Sequence, residues 1–263
     1  ISGVSCTDAI DFRAKRGVEF PRCTRAQGKR SVKLLAIDTS SLACSVALHD
    51  GSSIHERYEE REREHTRLLM PMIRSVLLDA DVAIADLDAI VLGNGPGSFI
   101  GMRIGASVAQ GLAHGAGLSI VPASSLAAVA AQVFAETDAQ EAVIAQDAHM
   151  NEVYLGAYRR GDANLPVPIF AERLHGQQLI EDLAAADMAG RIAAGFGWRR
   201  YPELLALNKS LFGPRSEILY PRAVHLLSLG ALALENGETI DPQDLVPAYL
   251  RNKVAEKPGE RAS

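Results

Sequence analysis

The sequence predicts an α/β fold, and three observations carry that prediction. Short apolar runs bounded by turn residues come first, the pattern of β-strands. Stretches with an apolar period of 3.6 residues follow, the pattern of amphipathic helices. The two patterns then alternate, as they do where helices cover a sheet. A glycine-rich stretch, Gly93–Gly105 (GNGPGSFIGMRIG), lies between one predicted strand and the next helix, and the functional question centres on it.

Taken in order, Lys33–Asp38 (KLLAID) reads as a buried strand ending on an acid, and Ala43–Leu48 (ACSVAL) as a second after a small polar turn. His49-Asp50-Gly51-Ser52 closes a hairpin into a third strand, Ser53–Glu59. From Glu64 to Ala80 the period changes. His65, Leu68, Leu69, Met72, Ile73, Val76, Leu77 and Ala80 form one helical stripe, with a kink expected near Arg67–Pro71 because proline removes a backbone donor. Leu87–Leu92 is the next strand and leads into the glycine loop. A helix from Ser98 to His114 follows, stopped by Gly115 and Gly117. Leu118–Val121 reads as a strand and Ser124–Ala135 as an alanine-rich helix. Ala142–Ala145 and Glu152–Tyr158 pair around Gln146–Asn151, and Gly161–Pro168 is a turn-rich connector. The second half is less legible, with helices expected near Gln177–Ala186 and Pro221–Glu235 and a loose polar tail from Val254.

With 263 residues, 48% of them hydrophobic, the chain can form one large or two modest domains. The most apolar stretch, Leu118–Ala135, contains Pro122, Ser124, Ser125 and Gln132 and fails as a membrane span. Cys6, Cys23 and Cys44 fit neither a disulfide framework nor a metal knuckle, so a reducing cytoplasm is the expected compartment. Residues 1–32 carry seven Lys/Arg against three acids, leaving 20 basic and 29 acidic residues in the remainder, a balance of −9. Such a body is a poor solitary binder of a phosphate backbone; a partner is expected to hold any nucleic acid. Residues 1–32 begin with Ile1, lack an apolar core segment and show no periodicity, so they read as a disordered or non-native extension.

The glycine loop invites a phosphate-binding reading, because Gly93, Gly95, Gly97 and Gly101 precede a helix N-terminus. It lacks a Gly-Lys-Ser/Thr end, however, and the third glycine of a dinucleotide fingerprint. The competing reading is that the glycines let backbone and helix pack closely. Gly101, Gly105, Ala109 and Ala113 recur every four residues, a small-residue stripe expected to admit another helix, with Ile104, Val108 and Leu112 beside it. The turn after the first strand, Asp38-Thr39-Ser40-Ser41-Leu42-Ala43, occupies the place of a kinase phosphate turn but contains no glycine. Asp38, Thr39, Gly95 and Gly97 are thus weak cofactor-binding candidates, Asp38 as a magnesium ligand. None of the seven histidines has another at i+3 or i+4, and no Cys-x-x-Cys or His-Glu-x-x-His occurs. No Gly-x-Ser-x-Gly elbow exists, and Ser98 is expected to cap a helix. Neither a catalytic residue nor a metal site nor a cofactor is assigned.

Lys33–Leu48, Glu64–Ile73 (EHTRLLMPMI), Gly93–Gly105, Ser124-Ser125-Leu126, Asp147…Glu152-Val153-Tyr154 and Pro247-x-Tyr249-Leu250-Arg251 occur in that order. Together they resemble the TsaB (YeaZ) family over roughly residues 33–254. The resemblance implies an actin-like ATPase (ASKHA, RNase H-like) fold in two subdomains, residues 33–137 and 138–263. It also implies a pseudoenzyme, a non-catalytic subunit that binds the paralogue TsaD directly and the ATPase TsaE through that dimer. Such a complex places a threonylcarbamoyl group on adenosine 37 of ANN-decoding tRNAs, the t6A modification. The paralogue holds its metal on a His-x-x-x-His helix, where this chain has His65-x-x-x-Leu69. Family resemblance places the TsaD contact on the two helices, at His65, Leu68, Leu69, Met72, Ile73, Val76, Gly101, Ile104, Gly105, Val108, Ala109 and Leu112. Without TsaD the same face is expected to form a homodimer. Ile100 and His149 depart from the family pattern of threonine and a basic residue. The rival readings are an actin-like ATPase or kinase and a metalloprotease-like hydrolase.

Overall fold

A computed structural model describes residues 31–183 and 190–251. Five strands build the first sheet: β1 (Leu34–Asp38), β2 (Ala43–His49), β3 (Ile54–Glu60), β4 (Ala89–Gly93) and β5 (Ser119–Ala123), in the order β3-β2-β1-β4-β5. β1 pairs antiparallel with β2 and parallel with β4, and β4 parallel with β5. β1, β2 and β4 are buried throughout, which is why they read as near-continuous apolar runs. β3 lies at the edge, where its charged sequence IHERYEE discourages further pairing.

Successive residues of β1 and β4 point to opposite faces. Leu35, Ile37, Ile90 and Leu92 meet α1 (His65–Ala80) and α2 (Phe99–Ala116). Leu34, Ala36, Ala89 and Val91 instead meet α6 (Ala223–Glu235), from the far end of the sequence, and Ala128 of α3 (Ser125–Glu136). The C-terminal half therefore returns a helix to the first sheet.

The second sheet comprises β6 (Glu141–Asp147), β7 (Val153–Arg160), β8 (Pro166–His175) and β9 (Arg191–Ala194), ordered β8-β7-β6-β9. Its pairings are antiparallel, antiparallel and parallel, repeating the pattern of the first four strands of the first sheet. Ala142 and Ile144 of β6 face α3, whereas Val143 and Ala145 face Trp198 of α4 (Phe196–Arg200) and Leu204 of α5 (Pro202–Leu207). The layers thus run α1/α2, first sheet, α3/α6, second sheet, α4/α5.

The structure corrects several expectations. Gln177–Leu183 forms bends and turns instead of the start of a helix over Gln177–Ala186; the remaining three residues lie outside the described ones. The apolar spacing of Ile180 and Leu183 reflects burial in the second core, and the Ile180 amide donates to Asn208 Oδ1 at 2.9 Å. Gly115 stays helical, and Gly117, at φ 67°, ends α2 with its amide on Ala113 O. Pro71 lies within α1 without ending it. The tail from Val254 and residues 1–30 fall outside the described residues, while Ser31 and Val32 are tied to the β2–β3 hairpin: Ser31 Oγ donates to Gly51 O and Val32 O meets His49 Nδ1. Among the described residues, no helix is long and apolar enough to cross a membrane.

Candidate functional site

β1 ends on Asp38, which has no exposed surface. Its Oδ1 accepts from the Ser40 amide and the Ser40 hydroxyl, both at 2.8 Å, and its Oδ2 accepts from Ser125 Oγ at 2.7 Å. Burial pushes the Asp38 carboxyl up to about 6, against the opposing pull of these hydrogen bonds. Ser125 in turn exchanges bonds with the glycine loop: its amide donates to Gly95 O and its Oγ accepts from the Gly95 amide.

The loop is pressed onto the 38–41 turn. A Cβ at Gly93 would sit 2.0 Å from Asp38 Oδ2, and one at Gly97 2.1 Å from Ser40 O. The Ser98 amide, at the mouth of α2, donates to Ser40 O at 2.6 Å, and Thr39 Oγ1 donates to Gly101 O at 2.7 Å. Ser98 caps the helix by accepting from the Gly101 amide. The Gly95, Ser98 and Gly101 amides, donors of the kind that could cradle an anion, are thus committed within the chain. Asp38, Thr39, Gly95 and Gly97 do come together, but as a closed packing unit: all four are buried.

His65 is also absorbed by this corner. It is buried, and its Nε2 lies 3.0 Å from Ser41 O and 3.3 Å from Ala43 O. Among the described residues, no group of three or more His, Cys, Asp or Glu side chains could hold a metal ion.

Of the twelve residues expected at a partner interface, eight are turned into the protein's own core. His65, Leu69, Met72, Ile73, Val76, Gly101, Gly105 and Ala109 are buried. The small-residue stripe therefore serves a different neighbour from the expected helix. A Cβ at Gly101 would meet Thr39 O at 2.0 Å and one at Gly105 Thr39 Oγ1 at 2.4 Å, so the stripe seats α2 on the β1–β2 turn. Leu68, Ile104, Val108 and Leu112 remain half-buried. Beside them runs an outward stripe, Ser107, Gly111 and Gly115, all exposed, with nothing within 4 Å of a Cβ at either glycine. This second stripe repeats every four residues like the first, two positions along, and the sequence reading overlooked it. Ile100, 70% exposed, extends the same helix surface toward its N-terminus.

Ser125, Tyr249 and Arg251 have roles that no spacing in the sequence signals. Their partners are remote in sequence: Asp38 for Ser125, Arg103 for Tyr249 and Glu152 for Arg251.

Comparison with known proteins places this geometry in a family. The family model described as "TsaD: tRNA N6-adenosine threonylcarbamoyltransferase" matches residues 52–257. Similar curated proteins include the "tRNA threonylcarbamoyladenosine biosynthesis protein TsaB" of Escherichia coli, 33% identical over 86% of this chain and 97% of that one. The protein of the same name from Haemophilus influenzae is 36% identical over 87% of this chain and 97% of that one. Among solved structures, "YeaZ from Pseudomonas aeruginosa" superposes with a TM-score of 0.76 at 35% identity, covering 83% of this chain and all of that one. With relatives above 30% identity over almost their whole length and a matching structure of the same kind, the chain belongs to the TsaB (YeaZ) family.

Proposed function

We propose that this chain is a non-catalytic subunit of the machinery that adds a threonylcarbamoyl group to adenosine 37 of tRNA. In this reading it works by docking a TsaD-type partner. The observation that carries the proposal is the closed corner at Asp38: glycine loop, turn and Ser125 satisfy one another's hydrogen bonds and pack without space for a Cβ at Gly93 or Gly97. The names of the relatives, threonylcarbamoyladenosine biosynthesis proteins, supply the pathway. The repeated sheet pattern supports an actin-like fold in two subdomains divided near residues 137 and 138, with α6 lent back to the first.

The docking surface is the outer face of α1 and α2, redrawn from the structure. Ser107, Gly111 and Gly115 admit a partner helix closely, and Ile100, Ile104, Val108, Leu112 and Leu68 supply apolar contact. Fully burying a large aliphatic side chain contributes about 1.5–3 kcal/mol, and the four half-buried ones offer roughly half of that. Their sum is of the order of the roughly 4–15 kcal/mol that association costs, so shape fit at the two glycines decides affinity. The buried residues position this face. Without the partner, the same surface pairs two copies about a twofold axis. TsaE joins through the dimer, and tRNA is held chiefly by the partner.

Size-exclusion co-elution with a TsaD-type partner tests the proposal. Ile100→Arg, at a side chain 70% exposed, is expected to abolish co-elution and leave thermal unfolding unchanged; retained co-elution refutes the docking face. Leu69→Arg does not serve, because it places a charge at a side chain 1% exposed and unfolds the protein. Calorimetric titration with Mg-ATP separates the kinase reading, which predicts binding at physiological concentrations where the proposal predicts none.

A further inference from the structure

The segment from Ile240 to Arg251 carries almost no regular structure, yet it touches both sheets. Ile240 bridges to Ile120 at the edge of the first sheet. Gln110 of α2 then holds it by donating to Pro242 O at 2.9 Å, and Leu245 is buried in the first core. Over the glycine loop, Asn94 Nδ2 donates to Val246 O and Asn94 O accepts from the Ala248 amide. Tyr249 stacks at 5.4 Å from Phe99 and accepts at 2.9 Å from Arg103 Nε, whose guanidinium lies 3.6 Å from the Phe99 ring centre.

The segment ends at the β6–β7 hairpin of the second sheet. There Arg251 donates to Ala148 O at 2.9 Å, pairs with Glu152 at 2.6 Å and reaches His149 O and Met150 Sδ at 3.4 Å. The hairpin tip needs such a clamp. His149, Met150 and Asn151 have φ of 60°, 53° and 59°, three consecutive non-glycine residues in the left-handed region. L-residues visit that region reluctantly even singly, and such a run persists only where its surroundings hold it.

We infer that residues 240–251 form a strap with two clasps, Tyr249 on the first turn of α2 and Arg251 on the left-handed hairpin tip, and that the two ends are energetically coupled. Only one residue, Leu250, lies between the clasps. Loosening one frees the short backbone that the other needs, so each end stabilises the other reciprocally. The strap thereby links the N-terminal turn of α2 to the second sheet. The inference concerns the isolated chain and is independent of the proposed docking.

Hydrogen exchange on the full chain tests it. Two reporters lie at each end: the Ala148 and Glu152 amides, bonded to Glu152 O and His149 O, and the Gly101 and Met102 amides, bonded to Ser98 Oγ and Ser98 O. Arg251→Ala is expected to speed exchange about tenfold at Ala148 and Glu152, the loss of one charge-assisted hydrogen-bond cluster. It is also expected to speed exchange at Gly101 and Met102. Tyr249→Ala is expected to do the reverse, reaching Ala148 and Glu152 from the other end. If each variant accelerates only its own end, or if the double variant shows the simple product of the two effects, the coupling is refuted. Arg251→Lys keeps a cation near Glu152 without the paired donations, and it should fall between wild type and Arg251→Ala at both ends. Wild-type rates at the far end in the lysine variant, with the near end accelerated, equally overturn the inference.

Discussion

Replacing Asp38 by Asn is expected to stabilise the protein at neutral pH, because among the described residues no cationic side chain bonds to the buried carboxylate. Its folded-state value of about 6 lies above the ordinary 3.8, and desolvation is the largest cause. That difference corresponds to about 3 kcal/mol, at about 1.36 kcal/mol per pH unit. The sign follows from proton counting. Below pH 3.8 Asp38 is protonated in both folded and unfolded chains and contributes no pH dependence. Between 3.8 and about 6 the unfolded chain releases its proton first, so stability falls as pH rises; above about 6 the whole penalty is present. Asn keeps the acceptor that faces Ser40, but its amide group replaces the Oδ2 that accepts from Ser125 Oγ, and the loss of that bond offsets part of the gain. Urea unfolding of both proteins at pH 4, 5, 6 and 7 measures the effect as a difference, which cancels the other titrating groups. The Asn variant should gain up to about 3 kcal/mol at pH 7, shrinking toward zero at pH 4. A difference that is flat across this range, or an Asn variant that is less stable at pH 7 than at pH 4 relative to wild type, refutes the uncompensated-carboxylate argument. The latter result would mean that a cation occupies the corner.

Four further outcomes probe the same structure. Gly93→Ala puts a methyl group 2.0 Å from Asp38 Oδ2 and 3.0 Å from Ser125 Oγ; a loss of about 2–3 kcal/mol in urea unfolding is expected, and an unchanged midpoint would show that the corner is open. Gly111→Ala meets nothing within 4 Å and should raise stability by about 0.5–1 kcal/mol through helix propensity. Gly111→Phe should keep the fold, yet fail to co-elute with the partner. Burial first, then the Arg222 charge, hold the His225 imidazole down at about 3, below its ordinary 6.5. Its contribution is therefore present above pH 6.5 and lost as pH falls toward 3, so His225→Gln should lose less stability than wild type between pH 6.5 and 4, read by thermal melting.

The first half of the fold was legible because its elements obey one period each. β1, β2 and β4 are apolar runs covered on both faces, and α1 and α2 carry clean stripes. The second half resisted for local reasons. β8 contains Pro166 and Pro168, residues that argue against a strand but are tolerated at its edge position, where the pairing with β7 is also irregular. β9 has four residues and α4 five, too short for any period to show. At the candidate site, the missing lysine and the glycine-free turn argued for a packing loop over a phosphate cradle without deciding between them. It could not say which side of α2 faces outward, because a helix with small residues on two sides offers two equivalent answers. Gly101 and Gly105 against Thr39 settle that question for the inner side, and the open space at Gly111 and Gly115 identifies the outer one. The same glycine spacing thus has opposite meanings on one helix. On the inner side a methyl group would collide with the chain's own backbone, so glycine there serves folding. On the outer side a methyl group would meet nothing, and in the isolated chain glycine only weakens the helix. Gly111 costs helix stability and gains no contact within its own chain, so the Gly111→Ala and Gly111→Phe pair separates its effect on folding from the proposed docking.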